Sequence, residues 1–370
     1  MKHNRFEMHS KKIFVGVVVI SLFISIYGVE KLFYLMEPVE KENSQVRNIR
    51  LREHKPSTIK YVVPDDVHMR KADSLIKKEF RLEIDKHGYI HPSILHEKPD
   101  MTIIFLGGST TECLYVDEEN RFPYLVGRLL EKNGKKVNSI NSGRSGNNSM
   151  HSINILLNKG IGLNPDIAIM MENINDLNIL LYENSYWNEN PGRSLLIYSD
   201  GSVFYHIKGI AMNIIPNIYE RLSILLNKYI NINDDFAHLR GKKISMNKQD
   251  IFLKFGRSLQ TFINISRSNG IKPVLMTQPN RFKENPDRIF SENWTLEKDF
   301  GITYEEYRDV YFSMNELIRE VGRSNNVLVI DLAKEVPQTS AYMYDQVHFN
   351  DNGSKYAAEL IAKRLNAVVQ

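Results

Sequence analysis

The sequence predicts a three-layer α/β/α domain with a mostly parallel five-stranded sheet, preceded by an N-terminal transmembrane helix. Two observations predict the domain. Short apolar runs end in loops rich in glycine or asparagine, and amphipathic helical stretches alternate with these runs. This alternation is typical of βαβ units, in which helices cover both faces of a parallel sheet. The third observation is an uncharged apolar run at residues 13–29, which predicts the transmembrane helix.

The composition is that of a globular protein with a sizeable core. The chain has 370 residues, of which 42% are apolar and 25% charged, and its net charge is +4. No block of Lys and Arg with interleaved aromatic residues occurs, so the sequence argues against a nucleic-acid partner. The single cysteine, Cys113, cannot form an intrachain disulfide and is best explained as a small buried residue. Nothing in the sequence indicates an oligomeric state.

The N-terminal run predicts a single-pass membrane protein. A helix of residues 13–29 would span about 25 Å, and apolar residues continue it to residue 36. Four basic residues and one acidic residue precede the run, so residues 1–12 are expected in the cytoplasm and the main domain on the far side, in the periplasm or at the cell surface. The alternative is a cleaved signal peptide, for which Ser25–Gly28 offers only a poor cleavage site. The polar, proline-containing residues 37–65 predict a tether, and residues 66–370 the domain.

Five strands and the helices between them are expected in the domain. The apolar runs predict strands at residues 101–106, 136–140, 166–171, 272–277 and 327–332. Helical spacing predicts helices at residues 72–80, 122–132, 148–158, 248–267, 304–323 and 353–368. Residues 183–247 break this rhythm, with a hairpin-like turn at 199–202 and a helical piece at 218–229, and are interpreted as an insertion that could cap a pocket.

A Gly-Gly-Ser turn follows the first of these strands. Ser109 stands at the start of a predicted helix, at the carboxyl end of a strand, where sites form in open parallel sheets. Its hydroxyl could act as a nucleophile there, or could simply cap the helix. The segment lacks the lysine and the glycine spacing of a phosphate-binding P-loop.

An Asp-x-x-His pair lies just before the last predicted helix. A serine hydroxyl needs a base to accept its proton before it can act as a nucleophile. His348 is a candidate for this base, because histidine titrates near neutral pH. Asp345, three residues earlier, can bend back to hold the imidazole in the required tautomer. Alone, such a pair is weak evidence, since most are surface residues.

Two further loops could supply hydrogen-bond donors for a negatively charged intermediate. Gly143 follows the second strand and Asn175 the third. Together with the N–H of Ser109, the N–H of Gly143 and the Asn175 amide would form an oxyanion hole with three donors. Each residue on its own is equally well explained by turn formation.

In their order along the chain, these four motifs resemble the signature blocks of the SGNH/GDSL hydrolase superfamily. The resemblance covers residues 100–369, apart from the insertion at 183–247. It implies a serine esterase in which Ser109, Asp345 and His348 form the catalytic triad and Ser109, Gly143 and Asn175 the oxyanion hole, without a metal or an organic cofactor. Two positions depart from the pattern: Gly108 replaces the usual Asp of the first block, and Asn173 the usual Gly of the third.

The expected substrate is an acyl ester, on O-acylated glycans or lipids of the cell envelope. An O-acetyltransferase with the same triad, or an inactive glycan-binding module, are the alternatives. Further positions at the predicted active edge could contact substrate or support the serine loop, or could be ordinary turn and helix-end residues: Arg144, Asn147, Gln278, Asn280 and Glu112. A loose histidine cluster precedes the first strand and predicts no metal site, because it lacks further ligands: His87, His91 and His96.

Overall fold

In a computed structural model of the chain, the structure describes residues 5–36, 46–131, 134–190, 192–199, 203–215, 217–219, 221–222, 236 and 239–369. The chain divides into two compact units. One comprises Met1–Val46 with Tyr198–Ile207, and the other comprises Arg47–Ile197 with Lys208–Gln370. Every predicted site residue belongs to the second unit.

The strands and helices are numbered in chain order. The strands are β1 (Val46–Ile49), β2 (Thr58–Val62), β3 (Phe80–Ile84), β4 (Met101–Gly107), β5 (Val137–Asn141), β6 (Ile167–Met171), β7 (Leu196–Ser199), β8 (Lys272–Met276) and β9 (Leu328–Ile330). The helices are α1 (Arg5–Met36), α2 (Asp66–Arg70), α3 (Ser109–Glu112), α4 (Phe122–Leu130), α5 (Ser149–Ile155), α6 (Ile174–Tyr182), α7 (Val203–Ile214), α8 (Lys248–Ser268), α9 (Arg288–Glu292), α10 (Leu296–Phe300), α11 (Tyr304–Ser324), α12 (Leu332–Glu335) and α13 (Asp351–Val369).

The N-terminal helix α1 contains the apolar run. Within it, the 21 residues Ile13–Phe33 have a mean hydropathy of 2.3, and this apolar stretch is not buried against the rest of the protein. The segment is long and apolar enough to cross a membrane. A signal sequence near an N-terminus has the same length and composition, so these properties alone do not separate the two.

The central sheet is parallel and has five strands, in the order β5-β4-β6-β8-β9. All five predicted strands are therefore confirmed, with ends that differ by one or two residues. Strands β4, β5 and β6 are buried along their whole length, which explains their continuous apolar or small-residue character.

Helices cover both faces of the sheet, so the predicted three-layer architecture is confirmed. Alternate residues of β4 point to opposite layers: Ile104 and Leu106 into one core, Ile103 and Phe105 into the other. The first core includes residues of α5, α6, α8 and α11. The second includes residues of α4 and α13.

The chain reverses direction across the sheet at β4. From β4 it passes through α4 to the edge strand β5, then returns through α5 to β6 on the other side of β4. The loops after β4 and β6 consequently leave the same edge of the sheet side by side. In open α/β sheets such a switch point forms the binding crevice. The fold thus brings the segments around Ser109 and Asn175 together.

Two predictions ahead of the sheet were wrong. Residues 46–65 are not an unstructured tether, because they include β1 and β2, and β2 pairs antiparallel with β3. The helix expected at residues 72–80 is absent. Instead Phe80 begins β3, where Phe80, Leu82 and Ile84 are buried and the residues between them are only partly buried. This two-residue period of burial is that of a strand.

Within the region interpreted as an insertion, the structure contains β7 and α7. Strand β7 forms a two-stranded sheet with β1. The turn expected at 199–202 and the helical piece expected at 218–229 lie mostly outside the described residues.

Candidate active site

The serine lies in a tight turn between β4 and α3. A Cβ on Gly107 would lie 2.1 Å from Thr111 Oγ1 and 2.8 Å from Met171 O, so this position requires glycine. The turn leaves Ser109 only partly buried, at the edge of the sheet. The Ser109 hydroxyl is therefore held at the mouth of the crevice.

A chain of two hydrogen bonds joins the serine to a carboxylate. His348 Nε2 lies 2.7 Å from Ser109 Oγ, and His348 Nδ1 lies 2.7 Å from Asp345 Oδ2. Asp345 Oδ1 also accepts the backbone N–H groups of Val347 and His348, at 2.9 and 2.8 Å. The buried ring of Tyr344 lies parallel to the imidazole, with 5.5 Å between centroids. The ring of His348 is thus fixed by a carboxylate on one nitrogen and aimed at the serine with the other.

The two titrating groups shift each other's pKa in opposite directions. Burial by itself lowers the pKa of His348, but the charge and hydrogen bond of Asp345 outweigh it, so the pKa is raised above 6.5. Burial raises the pKa of Asp345, but the charge and hydrogen bonds of His348 outweigh it, so that pKa is lowered from 3.8. Asp345 is therefore ionised when His348 titrates.

The chain is similar to several solved structures. No family model matches the sequence, and no curated protein matches it. Solved structures to which the chain is similar include an acetylxylan esterase from Geobacillus stearothermophilus, at 13% identity over 72% of this chain and 94% of that one, with a TM-score of 0.43.

A lipase/acylhydrolase from Enterococcus faecalis is similar at 17% identity over 72% of this chain and 96% of that one, with a TM-score of 0.41. A GDSL-like lipase from Bacteroides thetaiotaomicron is similar at 13% identity over 72% of this chain and 88% of that one, with a TM-score of 0.39.

Asn175, in the first turn of α6, approaches the serine loop through its side-chain amide. Asn175 Nδ2 donates to Asn147 O at 2.7 Å, which leaves its second hydrogen for another acceptor. A Cβ on Gly108 would lie 2.3 Å from Asn175 Nδ2, so no side chain fits at position 108 while the amide is there. This explains physically why glycine stands where the first block usually has Asp. At Asn173, φ is −167°, outside the left-handed region that favours glycine, so a side chain is accepted in place of the usual Gly.

The structure contradicts the expectation that Gly143 offers a free N–H. That group donates to Asn141 Oδ1 at 2.9 Å, and a Cβ on Gly143 would lie 2.4 Å from Glu112 N. Gly143 is needed where two backbone segments pack together. Three residues later, Gly146 has φ +80°. Within the described part of the chain, neither the Gly146 N–H nor the Ser109 N–H donates to a protein atom.

A segment that the sequence assigned to the tether supports the site. Glu112 is buried, and its Oε2 accepts the N–H of Ser145 at 2.7 Å, while its Oε1 lies 3.2 Å from His54 Nε2. Arg52 Nη1 donates to Ser145 O at 2.8 Å and to Asn147 Oδ1 at 2.7 Å. Glu112 thus links α3, which begins at Ser109, to the loop that follows β5. Arg52 and His54 were missed because no pattern distinguishes them from solvated charges.

Three residues weighed as substrate contacts form hydrogen bonds within the protein. Arg144 Nη1 donates to Glu53 O at 2.5 Å, and Asn147 is fully buried between Arg52 and Asn175. Gln278 is also buried; its Nε2 donates to Thr110 Oγ1 at 2.9 Å, and its Oε1 accepts the N–H of Ile174 at 2.9 Å. These bonds tie adjacent loops together at this edge, as the structural alternative for these residues expects.

Two buried acids, Glu172 and Asp176, lie between α5 and α6. Asp176 accepts the N–H of Ser149 at 3.1 Å and the hydroxyl of Tyr186 at 2.5 Å. Burial raises the pKa of Asp176 to about 6 and raises that of Glu172 well above its ordinary value, with the nearby Asp176 charge adding to the shift at Glu172. The acids do not contact Ser109 or His348 in the described structure, and they act as a structural link between α5 and α6.

The histidines weighed as a metal cluster do not come together. His96 Nε2 bonds Glu131 Oε1 at 2.6 Å. His91 instead lies near Glu83 and Glu118, with possible ligand atoms within 4.8 Å of one another. Both of those carboxylates are already paired with Arg81, which opposes a cation at the same place.

A cleft of about 700 Å³ opens beside His348. One wall consists of the Asp345–His348 segment, and six aromatic rings contribute to the rest of the lining. These rings belong to Tyr182, Phe236, Phe290, Trp294, Phe300 and Tyr307. Cationic side chains also line the cleft, among them Arg193. Its volume exceeds what a small acyl group occupies, so the rest of a substrate molecule can enter.

Proposed function

We propose that this chain is a serine ester hydrolase of the SGNH/GDSL type. The observation that carries the proposal is the continuous hydrogen-bond chain from Ser109 Oγ through His348 to Asp345, with both bonds at 2.7 Å. A serine hydroxyl becomes a nucleophile when a positioned imidazole can take its proton as the bond to carbon forms. The same arrangement recurs on unrelated folds, so it is recognised by geometry and roles.

In the first half of the reaction, His348 Nε2 removes the proton of Ser109 as Oγ attacks the ester carbonyl. Asp345 stabilises the imidazolium that results. His348 then gives this proton to the oxygen of the departing alcohol, and the acyl group remains on Ser109. In the second half, His348 takes a proton from water, the hydroxide attacks the acyl-enzyme, and the proton returns to Ser109 Oγ.

The negative charge on the carbonyl oxygen needs donors already in place. The proposed donors are the N–H of Ser109, the N–H of Gly146 and the Asn175 amide. Gly146 replaces Gly143 in this set, because the Gly143 N–H already bonds Asn141 while that of Gly146 has no protein acceptor in the described structure. Preorganised donors of this kind supply a large part of the catalysis in acyl transfer.

The proposed substrates are O-acylated glycans or lipids of the cell envelope. What supports them is the cleft beside His348, whose aromatic walls offer flat apolar surfaces to sugar rings or acyl chains. One of the solved structures to which this chain is similar is described as an acetylxylan esterase. Release of acetate from a panel of acetylated polysaccharides and lipids, compared between the wild type and Ser109→Ala, tests this assignment; equal release by both would count against it.

The pH dependence of kcat/KM follows from the shifted pKa of His348. Only the neutral imidazole can accept the serine proton, so activity rises as the pH rises through the pKa of His348 in the free enzyme. Because Asp345 raises that pKa above 6.5, we expect the acid limb to have its midpoint above 6.5. In Asp345→Asn the midpoint should move to lower pH and the plateau should fall. A pH–rate profile with an aryl acetate measures both, and a midpoint that does not move in the variant would contradict this role of Asp345.

We also propose that α1 is an uncleaved anchor that holds the domain on the far side of a membrane. The uncharged run at residues 13–29 and the basic residues before it support this orientation. Arginine at the centre of a membrane-spanning helix costs about 2.5–3.5 kcal/mol. The pair Val18→Arg and Phe23→Arg should therefore release the protein from membranes washed with alkaline carbonate. Leu35→Arg, near the helix end, should leave it bound. A mature protein that lacks residues 1–28 by mass would contradict the uncleaved anchor.

A further inference from the structure

The loop before β7 carries an arginine that contacts the Asn175 side chain. Arg193 Nη1 donates to Asn175 Oδ1 at 3.0 Å, while Asn175 Nδ2 donates to Asn147 O at 2.7 Å. The amide is thus held at both ends. We propose that Arg193 is a positioning residue that fixes the Asn175 amide with its nitrogen toward the serine loop. The inference rests on the proposed function and adds to it a residue from the segment outside the family resemblance.

The chemistry of the amide explains why such a residue is useful. The oxygen and nitrogen of an asparagine side chain have nearly the same shape, so rotation about the last bond exchanges a donor for an acceptor. In the rotated state, Asn175 Oδ1 would face Asn147 O, and Nδ2 would face the guanidinium of Arg193. Both contacts would then be repulsive. A charged donor also forms a stronger bond to Oδ1 than a neutral one and polarises the N–H groups at the other end of the amide.

The loop that carries Arg193 is built as a fixed structure. Asn190 is buried, and its Oδ1 accepts the N–H groups of Gly192 and Arg193 at 3.0 and 3.1 Å. Its Nδ2 donates to Glu183 Oε1 at 2.9 Å. Ser194, also buried, donates through its hydroxyl to Asn188 O at 2.5 Å. These bonds fix the backbone on both sides of Arg193, as a positioning role requires.

The guanidinium also packs against the turn that contains the proposed donor Gly146. A Cβ on Gly146 would lie 2.5 Å from Arg193 Nη1 and 2.9 Å from Arg52 Nη2. Arg193 therefore lies next to two of the three proposed oxyanion donors. Because Arg193 also lines the cleft, a direct contact with an anionic substrate is the competing role.

A double-mutant cycle on the full chain separates the two roles. Arg193→Met should lower kcat for an uncharged aryl acetate about 10-fold and leave KM nearly unchanged. In an Asn175→Ala background the same change should alter kcat less than about 2-fold, because the group through which Arg193 acts is gone. Arg193→Lys should recover part of kcat, since lysine keeps a charged donor without the planar guanidinium. Arg364→Met, which removes a half-exposed arginine that bonds Glu335, is the matched control and should match the wild type.

Several outcomes would overturn the inference. An unchanged kcat in Arg193→Met is one, and a loss that appears in KM and is fully retained in the Asn175→Ala background is another. Thermal unfolding of each variant shows whether it is folded, and Arg193→Gln repeats the test if Arg193→Met is not. A wild type that neither hydrolyses the ester nor reacts at Ser109 with a fluorophosphonate would instead refute the proposed function. A reactive, active wild type with a normal Arg193→Met variant would refute this inference alone.

Discussion

Replacing Ser109 by alanine should abolish ester hydrolysis. The change removes Ser109 Oγ, the atom that lies 2.7 Å from His348 Nε2. In enzymes with a Ser-His-Asp triad, loss of the serine lowers kcat about 10⁴-fold or more, and the remaining rate comes from binding and the oxyanion donors. We therefore expect hydrolysis of a small aryl acetate by Ser109→Ala to fall at least about 10⁴-fold, with the fold unchanged by circular dichroism.

The same experiment has two internal controls. Ser268→Ala removes an exposed hydroxyl at the end of α8, which bonds its helix neighbours Ile265 O and Asn269 Nδ2, and should keep full activity. His348→Ala should lose about as much activity as Ser109→Ala, and the double variant little more, because the two residues act as one unit. Losses that multiply in the double variant would show that they do not act on the same step.

The second large effect is expected at Gly108. An alanine methyl would occupy the position 2.3 Å from Asn175 Nδ2 and 2.9 Å from Asn147 O, so the Asn175 amide has to move away from the serine loop. Loss of one oxyanion donor typically lowers kcat by about 10²–10³. We expect Gly108→Ala to show a loss of that size in kcat and little change in KM, measured under substrate saturation.

Asn175→Ala removes the same amide directly and should give a similar loss. The double variant should be no worse than either single variant, because only one donor is lost in all three. Gly162→Ala is the matched control, since a Cβ there meets no atom within 4 Å. Wild-type kcat in Gly108→Ala would contradict the assignment of Asn175 as a donor.

The central sheet and the residues at its carboxyl edge could be predicted because their signals are local. Most strands of the sheet are short apolar runs, and loops rich in glycine or asparagine follow several of them. Ser109, Asp345 and His348 could be placed for the same reason, and the structure brings all three into one hydrogen-bond chain. A prediction of this kind needs only the order of the strands and the residues that follow them.

What could not be predicted depends on contacts between distant segments. Gly143 and Gly146 both follow β5, and the sequence does not show that the Gly143 N–H already bonds Asn141. Arg52 and His54 contact the loop after β5, which lies about 90 residues later in the sequence. The sequence around them is that of any charged linker. Gln278 has the polarity of a substrate contact but is buried between Thr110 and Ile174. Periodicity carries no information about such pairings.

The strand β3 illustrates the same limit at the level of secondary structure. Residues 72–80 have helical spacing, yet Phe80 belongs to a strand because β2 pairs with it and residues 80, 82 and 84 become buried. Tertiary pairing overrides local spacing in such short segments.

The most direct test of the account is covalent labelling of the wild-type chain with a fluorophosphonate, followed by peptide mapping by mass spectrometry. The reagent reacts with serine hydroxyls that a neighbouring base activates. We predict one labelled site, Ser109, with labelling that is lost in His348→Ala and slower at a pH low enough to protonate His348. Labelling at another serine, or equal labelling of Ser109 in His348→Ala, would contradict the proposed role of the Ser109–His348–Asp345 chain.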